Sequence, residues 1–210
     1  MQWLINMACI KQTSPIILAS TSPWRKEVLE STGLTFSCIA PEVDEEALKP
    51  SIRHLPVNEQ ATALALYKGK DISLKNPDAY ILCGDQIGAA EDCIYEKPHT
   101  NARAIKDLLS LSGKKLTYYT AAALLKNGAV VWQNVLTPSV TFRNITEEEA
   151  AAYVELEDVT GICGSCETKG IGQHLLSSKD GDFSAILGLP MAEILTALHQ
   201  AGVVSLKKES

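Results

Sequence analysis

"IILASTSPWRKEVLESTG", residues 16–33, sets the architecture. An apolar run ends at Ala19, and Ser20-Thr21-Ser22-Pro23 leads into a helical pattern. Ile16–Ala19 reads as a short buried strand. Pro23–Thr32 reads as a helix, with Ser22 as N-cap, Pro23 at its first position and Gly33 past its end. Strand, small polar turn and helix N-terminus together suit an anion, because the first helical N–H groups lack partners and the dipole favours negative charge. Arg25 and Lys26 then fall in the first turn, where cations are unfavourable. Two readings stand: a pair of solvated cations, or an Arg25 completed by a phosphate docked between it and the helix end. Lys26 reads as a solvated neighbour.

Strands and helices intermingle from there outward. Phe36–Ala40 is expected as a strand, followed by a polar loop, "PEVDEEALKP". Asn58–Ile72 is expected as a helix with Ala61, Leu64, Ala65, Lys68 and Ile72 on one face. Ala79–Cys83 reads as a buried strand ending in Gly84-Asp85-Gln86 and returning through "AED" to Cys93–Tyr95 as a hairpin. Thr100 caps a helix to Leu111. Leu116–Leu125 turns at Asn127-Gly128 into Val130–Val135, and Ser139–Arg143 is β-rich. Thr146–Glu149 is a capping box for a helix to about Glu157. A glycine-rich loop, "GICGSCETKGIGQ", a hairpin through "SKDGD" and a helix over Met191–Gln200 complete the chain. The class is α/β, with mixed α+β order and a long mixed sheet.

The bulk numbers set limits. The chain has 210 residues, enough for one substantial domain with a sizeable core. Its 19 basic and 25 acidic residues give a net charge of −6, against a nucleic-acid binder. No apolar run reaches the roughly 18 residues of a membrane span. Met1–Pro15 lacks the basic start and apolar core of a signal peptide. Residues 1–14 are expected as an N-terminal extension and 15–205 as a single domain. Met1–Gln12 reads as disordered, or as an upstream start ahead of Met7. The six cysteines are scattered, so a reducing compartment, the cytoplasm, and mostly buried free thiols are expected.

Several residues invite chemistry, each beside a plainer role. Glu42, Asp44, Glu45 and Glu46 form either a solvated loop or a hard-cation site, since Mg²⁺ takes one or two carboxylates plus water and phosphate oxygens. Lys68, on an apolar face, must meet an anion or snorkel to solvent. Asp85 follows glycine at a strand end, a place for a reactive carboxylate or for a turn. Lys97, in "YEKPHT", is a weak signal alone. Cys163 and Cys166 form a lone Cys-x-x-Cys without the second ligand pair of a structural zinc. Gly161, Gly164, Gly170 and Gly172 permit a tight loop with close ligand approach.

In this order, "LASTSPWRKEVLESTG", "PEVDE", "CGDQ", "EKP", "LSGKKLTYYTAAAL" and "GLPMAEIL" resemble the Maf family of nucleoside triphosphate pyrophosphatases. The resemblance runs from about Ile16 to Ala201. It implies an elongated, ITPase-like α/β fold with flanking helices, two lobes and a deep cleft, commonly homodimeric. It implies Ser20, Ser22, Arg25, Lys68 and Lys97 as phosphate contacts and Asp85 as proton acceptor. It implies Glu45 and Asp85 as holders of a divalent cation, Mg²⁺ or Mn²⁺. Trp24, Gln86 and Lys169 occupy positions linked to base selection. "SPWR" and "GDQ" resemble the branch acting on 7-methyl-GTP. The branch acting on dTTP and UTP shows Arg in place of Trp24 and Thr in place of Gln86. Before Gly-x-Gly the two branches carry Glu or Gln, where this chain has Lys169, and around Glu167 the charge is opposite to the usual Lys. The pair reads as a compensating swap or as altered base selection. The expected reaction is hydrolysis of a nucleoside triphosphate to the monophosphate and pyrophosphate. A non-catalytic nucleotide sensor restraining septum formation is the alternative from another class.

Overall fold

The computed structural model describes residues 8–208. In chain order the first half holds β1 (Ala8–Gln12), β2 (Ile16–Leu18), α1 (Pro23–Glu30), β3 (Ser37–Cys38), α2 (Glu45–Ile52), α3 (Val57–Lys75), β4 (Tyr80–Ala90) and β5 (Cys93–Tyr95). The second half holds α4 (Asn101–Leu111), β6 (Lys115–Lys126), β7 (Ala129–Leu136), β8 (Ser139–Phe142) and α5 (Glu147–Leu156). A 3-10 turn (Gly170–Leu175), β9 (Leu176–Asp180), α6 (Phe183–Ile186), α7 (Met191–Gln200) and β10 (Val204–Lys208) follow.

The long antiparallel pair β4 and β6 is the axis of the main sheet, in register from Tyr80 opposite Lys126 to Ala89 opposite Thr117. Each strand changes its outer neighbour halfway. On β4, Tyr80–Leu82 pair with β2 in parallel, whereas Gly88–Ala90 pair with β5. On β6, Lys115–Thr117 pair with β8 and Thr120–Lys126 with β7. The sheet therefore forks at both edges into two lobes. Between the forks no described strand covers the outer edge of Cys83–Ile87.

Alternation along β4 assigns its two faces. Leu82 packs with Ile16, Leu18, Leu124 and Leu198, under α1 and α7. Ile81 and Cys83 pack with Ile17, Leu125 and Ile72, under α3. The second lobe has its own core, in which Leu108 and Leu111 of α4 meet Val140, Phe142, Tyr153 and Val154. The expected face of α3 is found, with Ala61, Leu64, Ala65, Lys68 and Ile72 all buried.

Local signals account for most boundaries. The Thr146 capping box, the Thr100 cap and the Asn127-Gly128 turn, both residues at positive φ, stand where expected. Five expectations are corrected. The acidic stretch is not a loop: the Asp44 side chain accepts from Ala47 N–H at 3.0 Å and starts α2, with Glu45 and Glu46 in its first turn. β4 does not end at Gly84-Asp85-Gln86 but runs on to Ala90, because Gly84 lets the Ala121 carbonyl pass close by. "SKDGD" makes no hairpin of its own; β9 returns onto β8, and Gly181-Asp182 lead into α6. Cys38 and Cys93 are exposed, so the described thiols are free but not mostly buried. Ala8–Gln12 of the expected extension is ordered as β1 against β10, while residues 1–7 lie outside the described residues.

Candidate active site

The turn after β2 holds Arg25 in place. Ser22 Oγ caps α1 by accepting from Arg25 N–H at 3.4 Å, and Ser22 N–H donates to buried Ser20 Oγ at 3.1 Å. The Arg25 guanidinium folds back over this turn: Nε donates to the Gly188 carbonyl at 3.1 Å and Nη1 reaches Ser20 Oγ at 3.5 Å. Gly188 sits at φ +107°, and a Cβ there would lie 3.2 Å from Arg25 Nε. One edge of the guanidinium is thus anchored, and no described carboxylate pairs with it. Lys26 instead makes an exposed pair with Glu30 at 3.5 Å, as expected of a solvated neighbour.

Lys68 does not snorkel. Its Nζ lies 2.5 Å from Asp85 Oδ1 and 3.0 Å from Glu45 Oε2. Lys68 and Asp85 are 9% and 8% exposed. Three elements meet here: α3 presents the ammonium, the uncovered stretch of β4 presents Asp85, and the first turn of α2 presents Glu45. Two carboxylates converging on one cation, each with a second oxygen left over, fit the donor set that Mg²⁺ or Mn²⁺ takes alongside phosphate oxygens. Among the described residues no group of three or more His, Cys, Asp or Glu is placed to hold a metal, around Cys163 and Cys166 or elsewhere.

Lys97 is exposed and pairs with no described carboxylate. Its loop is fixed on both sides: Lys49 of α2 grips Glu96 at 2.7 Å, and His99 N–H donates to the Thr160 carbonyl at 3.0 Å. Burial is the main influence on the Cys163 thiol and pushes its pKa up. Asp85 pushes the same way, while Lys97 and Arg25 oppose it.

Beyond Cys163 lies a cavity lined by Trp24, Gln86, Tyr118, Cys163, Glu167 and Thr168, among others. Gln86 is locked in orientation, with Nε2 facing Thr120 Oγ1 at 2.9 Å and the Ala185 and Ile186 carbonyls at 2.9 and 3.0 Å. Its Oε1 is left as an acceptor. Lys169 is absent from the lining. Its Nζ binds both Glu27 oxygens at 2.6 and 2.7 Å and rests 4.4 Å from the Trp24 ring centre. Glu167 lines the cavity in its place; burial raises its pKa, aided by Glu157 and Glu27 against Lys169. The Tyr118 hydroxyl, pushed well above its ordinary range by burial, stays protonated.

Of the expected residues, the structure therefore groups Ser20, Ser22 and Arg25 at one helix end, and Lys68, Asp85 and Glu45 in one cluster. It leaves Lys97 exposed on its own loop, sets Trp24 and Gln86 in the cavity wall, and keeps Lys169 out of that wall, over the Trp24 ring. Sequence reasoning missed the Gly188 carbonyl, Tyr118 and the clasp of Glu27 on Lys169. Only the charge reversal at Glu167 and Lys169 offered a signal for the last.

The chain is similar to several known proteins over almost its whole length. A protein from Rhodospirillum rubrum named nucleoside triphosphate pyrophosphatase is 33% identical over 194 residues, covering 90% of this chain and 96% of its own. A protein of the same name from Hyphomonas neptunium is 35% identical over 188 residues, covering 88% and 94%. One from Rhizobium johnstonii, named 7-methyl-GTP pyrophosphatase, is 31% identical over 196 residues, covering 91% and 98%. Residues 15–201, which carry every site residue above, match the family described as Maf-like protein, and the chain belongs to that family.

Proposed function

We propose that this chain is a nucleoside triphosphate pyrophosphatase, converting a nucleoside triphosphate and water to the monophosphate and pyrophosphate, with 7-methyl-GTP as substrate. The observation that carries the reading is the buried Lys68–Asp85 pair, met from its solvent side by the half-exposed Glu45, beside the anchored Arg25. Taking these charges out of water is unfavourable, and a chain that merely sensed a nucleotide would have no need of a carboxylate held against the phosphate-binding lysine.

In this reading the triphosphate spans the free N–H groups of α1, the Ser20 and Ser22 hydroxyls, Arg25, Lys68 and Lys97. Asp85 orients the attacking water and takes its proton as the water adds to the α-phosphorus. Glu45 and Asp85 would hold Mg²⁺ or Mn²⁺, which supplies charge neutralisation at the phosphate oxygens. Fixed cations serve the rest of the transition state, since phosphoryl transfer relies on positioning and electrostatics. Trp24 stacks on the base; a methylated, cationic guanine would add a cation–π gain of about 0.5–2 kcal/mol. The Rhizobium johnstonii relative's name and the residues Trp24 and Gln86 support the methylated substrate.

The test is pyrophosphate release with Mg²⁺ or Mn²⁺ across 7-methyl-GTP, GTP, dTTP, UTP and CTP. Release is expected, fastest from 7-methyl-GTP. No release from any of them would refute the enzyme, and a preference for dTTP and UTP would refute the base.

A further inference from the structure

We propose that Glu167 is the residue that reads the base, its carboxylate accepting together from N1–H and the 2-amino group of a guanine. The inference rests on the reading of this cleft as a nucleotide site and adds the group that selects the nucleotide.

Among the described residues Glu167 is the one carboxylate lining the cavity, and it is 7% exposed. No described side chain bonds its carboxylate. The nearby cation, Lys169, is neutralised elsewhere, with both Glu27 oxygens within 2.7 Å of its Nζ. The main chain of Glu167 is fixed from both sides. Its N–H donates to Tyr153 Oη at 2.9 Å, and its carbonyl accepts from Cys166 Sγ at 3.5 Å. The carbonyl also lies where a Cβ on Gly172 would come within 1.8 Å. A carboxylate on so fixed a backbone, without a partner and with its oxygens still open to approach, is an acceptor held ready for a ligand's donors.

The donor pattern then chooses the base. An ionised carboxylate offers two parallel acceptors and no donor, and Gln86, its Nε2 engaged by Thr120 and two carbonyls, has only its acceptor left to offer. Guanine presents two adjacent donors, N1–H and the 2-amino group. Adenine and cytosine pair a donor with an acceptor along that edge, and uracil and thymine set one donor between two acceptors. Methylation at N7 leaves both guanine donors in place and adds a positive charge that a carboxylate favours. Hypoxanthine keeps N1–H but lacks the 2-amino group, which makes it the discriminating probe.

The experiment compares kcat/KM for pyrophosphate release from 7-methyl-GTP, GTP and ITP by wild type, Glu167→Gln and Glu167→Ala. Calorimetric binding of the same nucleotides runs in parallel. Wild type is expected to prefer GTP over ITP by about 10–100-fold, the range for one hydrogen bond to a charged group. Both variants are expected to lose most of that preference. The ratio is the readout because a partly misfolded variant would lose both substrates alike. An unchanged ratio in the variants overturns the role of Glu167 and leaves the enzyme reading intact. Glu167-dependent binding of guanine nucleotides without pyrophosphate release supports Glu167 and overturns the catalytic reading.

Discussion

Asp85→Asn separates catalysis from structure in the central cluster. Asparagine keeps the shape of the side chain and leaves an oxygen to face Lys68 Nζ, where Asp85 Oδ1 now lies at 2.5 Å. Lys68 also keeps Glu45 at 3.0 Å, so the ammonium is not stranded without a counter-charge. Hydrogen bonds with a charged partner contribute about 1.5–3 kcal/mol against about 0.5–1.5 for neutral ones, and the bond from Lys68 to the new amide oxygen would still have one charged partner. The expected loss of stability is therefore about 1 kcal/mol, or roughly 2–4 °C in Tm for a chain of this size. Loss of the proton acceptor is larger: about 10²–10⁴-fold in rate, equivalent to about 3–5 kcal/mol of barrier. At Mg²⁺ or Mn²⁺ raised until the rate no longer responds, which offsets the loss of one of the two proposed metal holders, the effect should fall on kcat with no rise in KM, because the change removes a negative charge from a phosphate site. Stopped-time pyrophosphate release and a thermal melt on the same preparation make the comparison. A folded variant releasing pyrophosphate within a few-fold of the wild-type rate would refute Asp85 as the acceptor.

Three further outcomes follow from the same geometry. Gly188→Ala forces a side chain at φ +107° and against Arg25 Nε; a cost of about 1–3 kcal/mol and a raised KM are expected, and an unchanged KM would remove Arg25 from the phosphate site. Lys68→Met with Asp85→Leu should leave Tm equal or higher, since replacing buried ion pairs with apolar residues is neutral or stabilising by about 1–4 kcal/mol, while pyrophosphate release disappears; a lower Tm would make the pair a structural device. The bidentate pair with Arg143 holds Glu149 down at about 2, with the Thr146 N–H contributing less. A depressed carboxyl stabilises the fold fully above its ordinary 4.5 and loses that contribution as pH falls from there through about 2. The stability gap between wild type and Glu149→Gln in urea titrations should therefore close between pH 4.5 and 2; a gap independent of pH would refute it.

Elements set by adjacent residues were legible in the sequence. α7 spans Met191–Gln200 as read, and the Thr146 box, the Thr100 cap and the Asn127-Gly128 turn each act within four residues of their own position. The failures have the same logic. Asp44 caps α2, but Pro41, Pro50 and a run of acids mask the helix signal, and Pro50 proves tolerable inside it. Gly84 reads as a stop because its reason, the approach of the Ala121 carbonyl, comes from a strand nearly forty residues away. In the site, the helix face of Lys68 left an anion or snorkelling as readings, and the partners Asp85 and Glu45 decide for the anion. The anchoring of Arg25 on the Gly188 carbonyl was not, since nothing local ties two segments 163 residues apart. Glu167 and not Lys169 lines the cavity because of the path of the whole loop, which has positive φ at Gly164, Ser165 and Gly170, and charge order alone cannot supply that path.

The fork in the sheet explains why these groups act together. Successive residues of a strand point to opposite faces. Asp85 follows Ile81 and Cys83 toward α3, and meets Lys68 there. Gln86 follows Leu82 toward the opposite face, where it meets the carbonyls of α6 and the segment holding Gly188 and Arg25. In a fully paired sheet those faces would be separated by a layer of backbone. Here the outer edge of Cys83–Ile87 is left without a partner strand, because β2 pairs only through Leu82 and β5 begins only at Gly88. The parallel register of Leu18 with Leu82 brings the Ser20–Ser22 turn out beside that gap, at the carboxyl end of its strand, where open α/β sheets bind ligands. In the proposed site, a nucleotide lying along that edge would meet Lys68 and Asp85 on one face and Arg25 and Gln86 on the other. Covering that edge with one more strand would preserve every residue of the site and still abolish it.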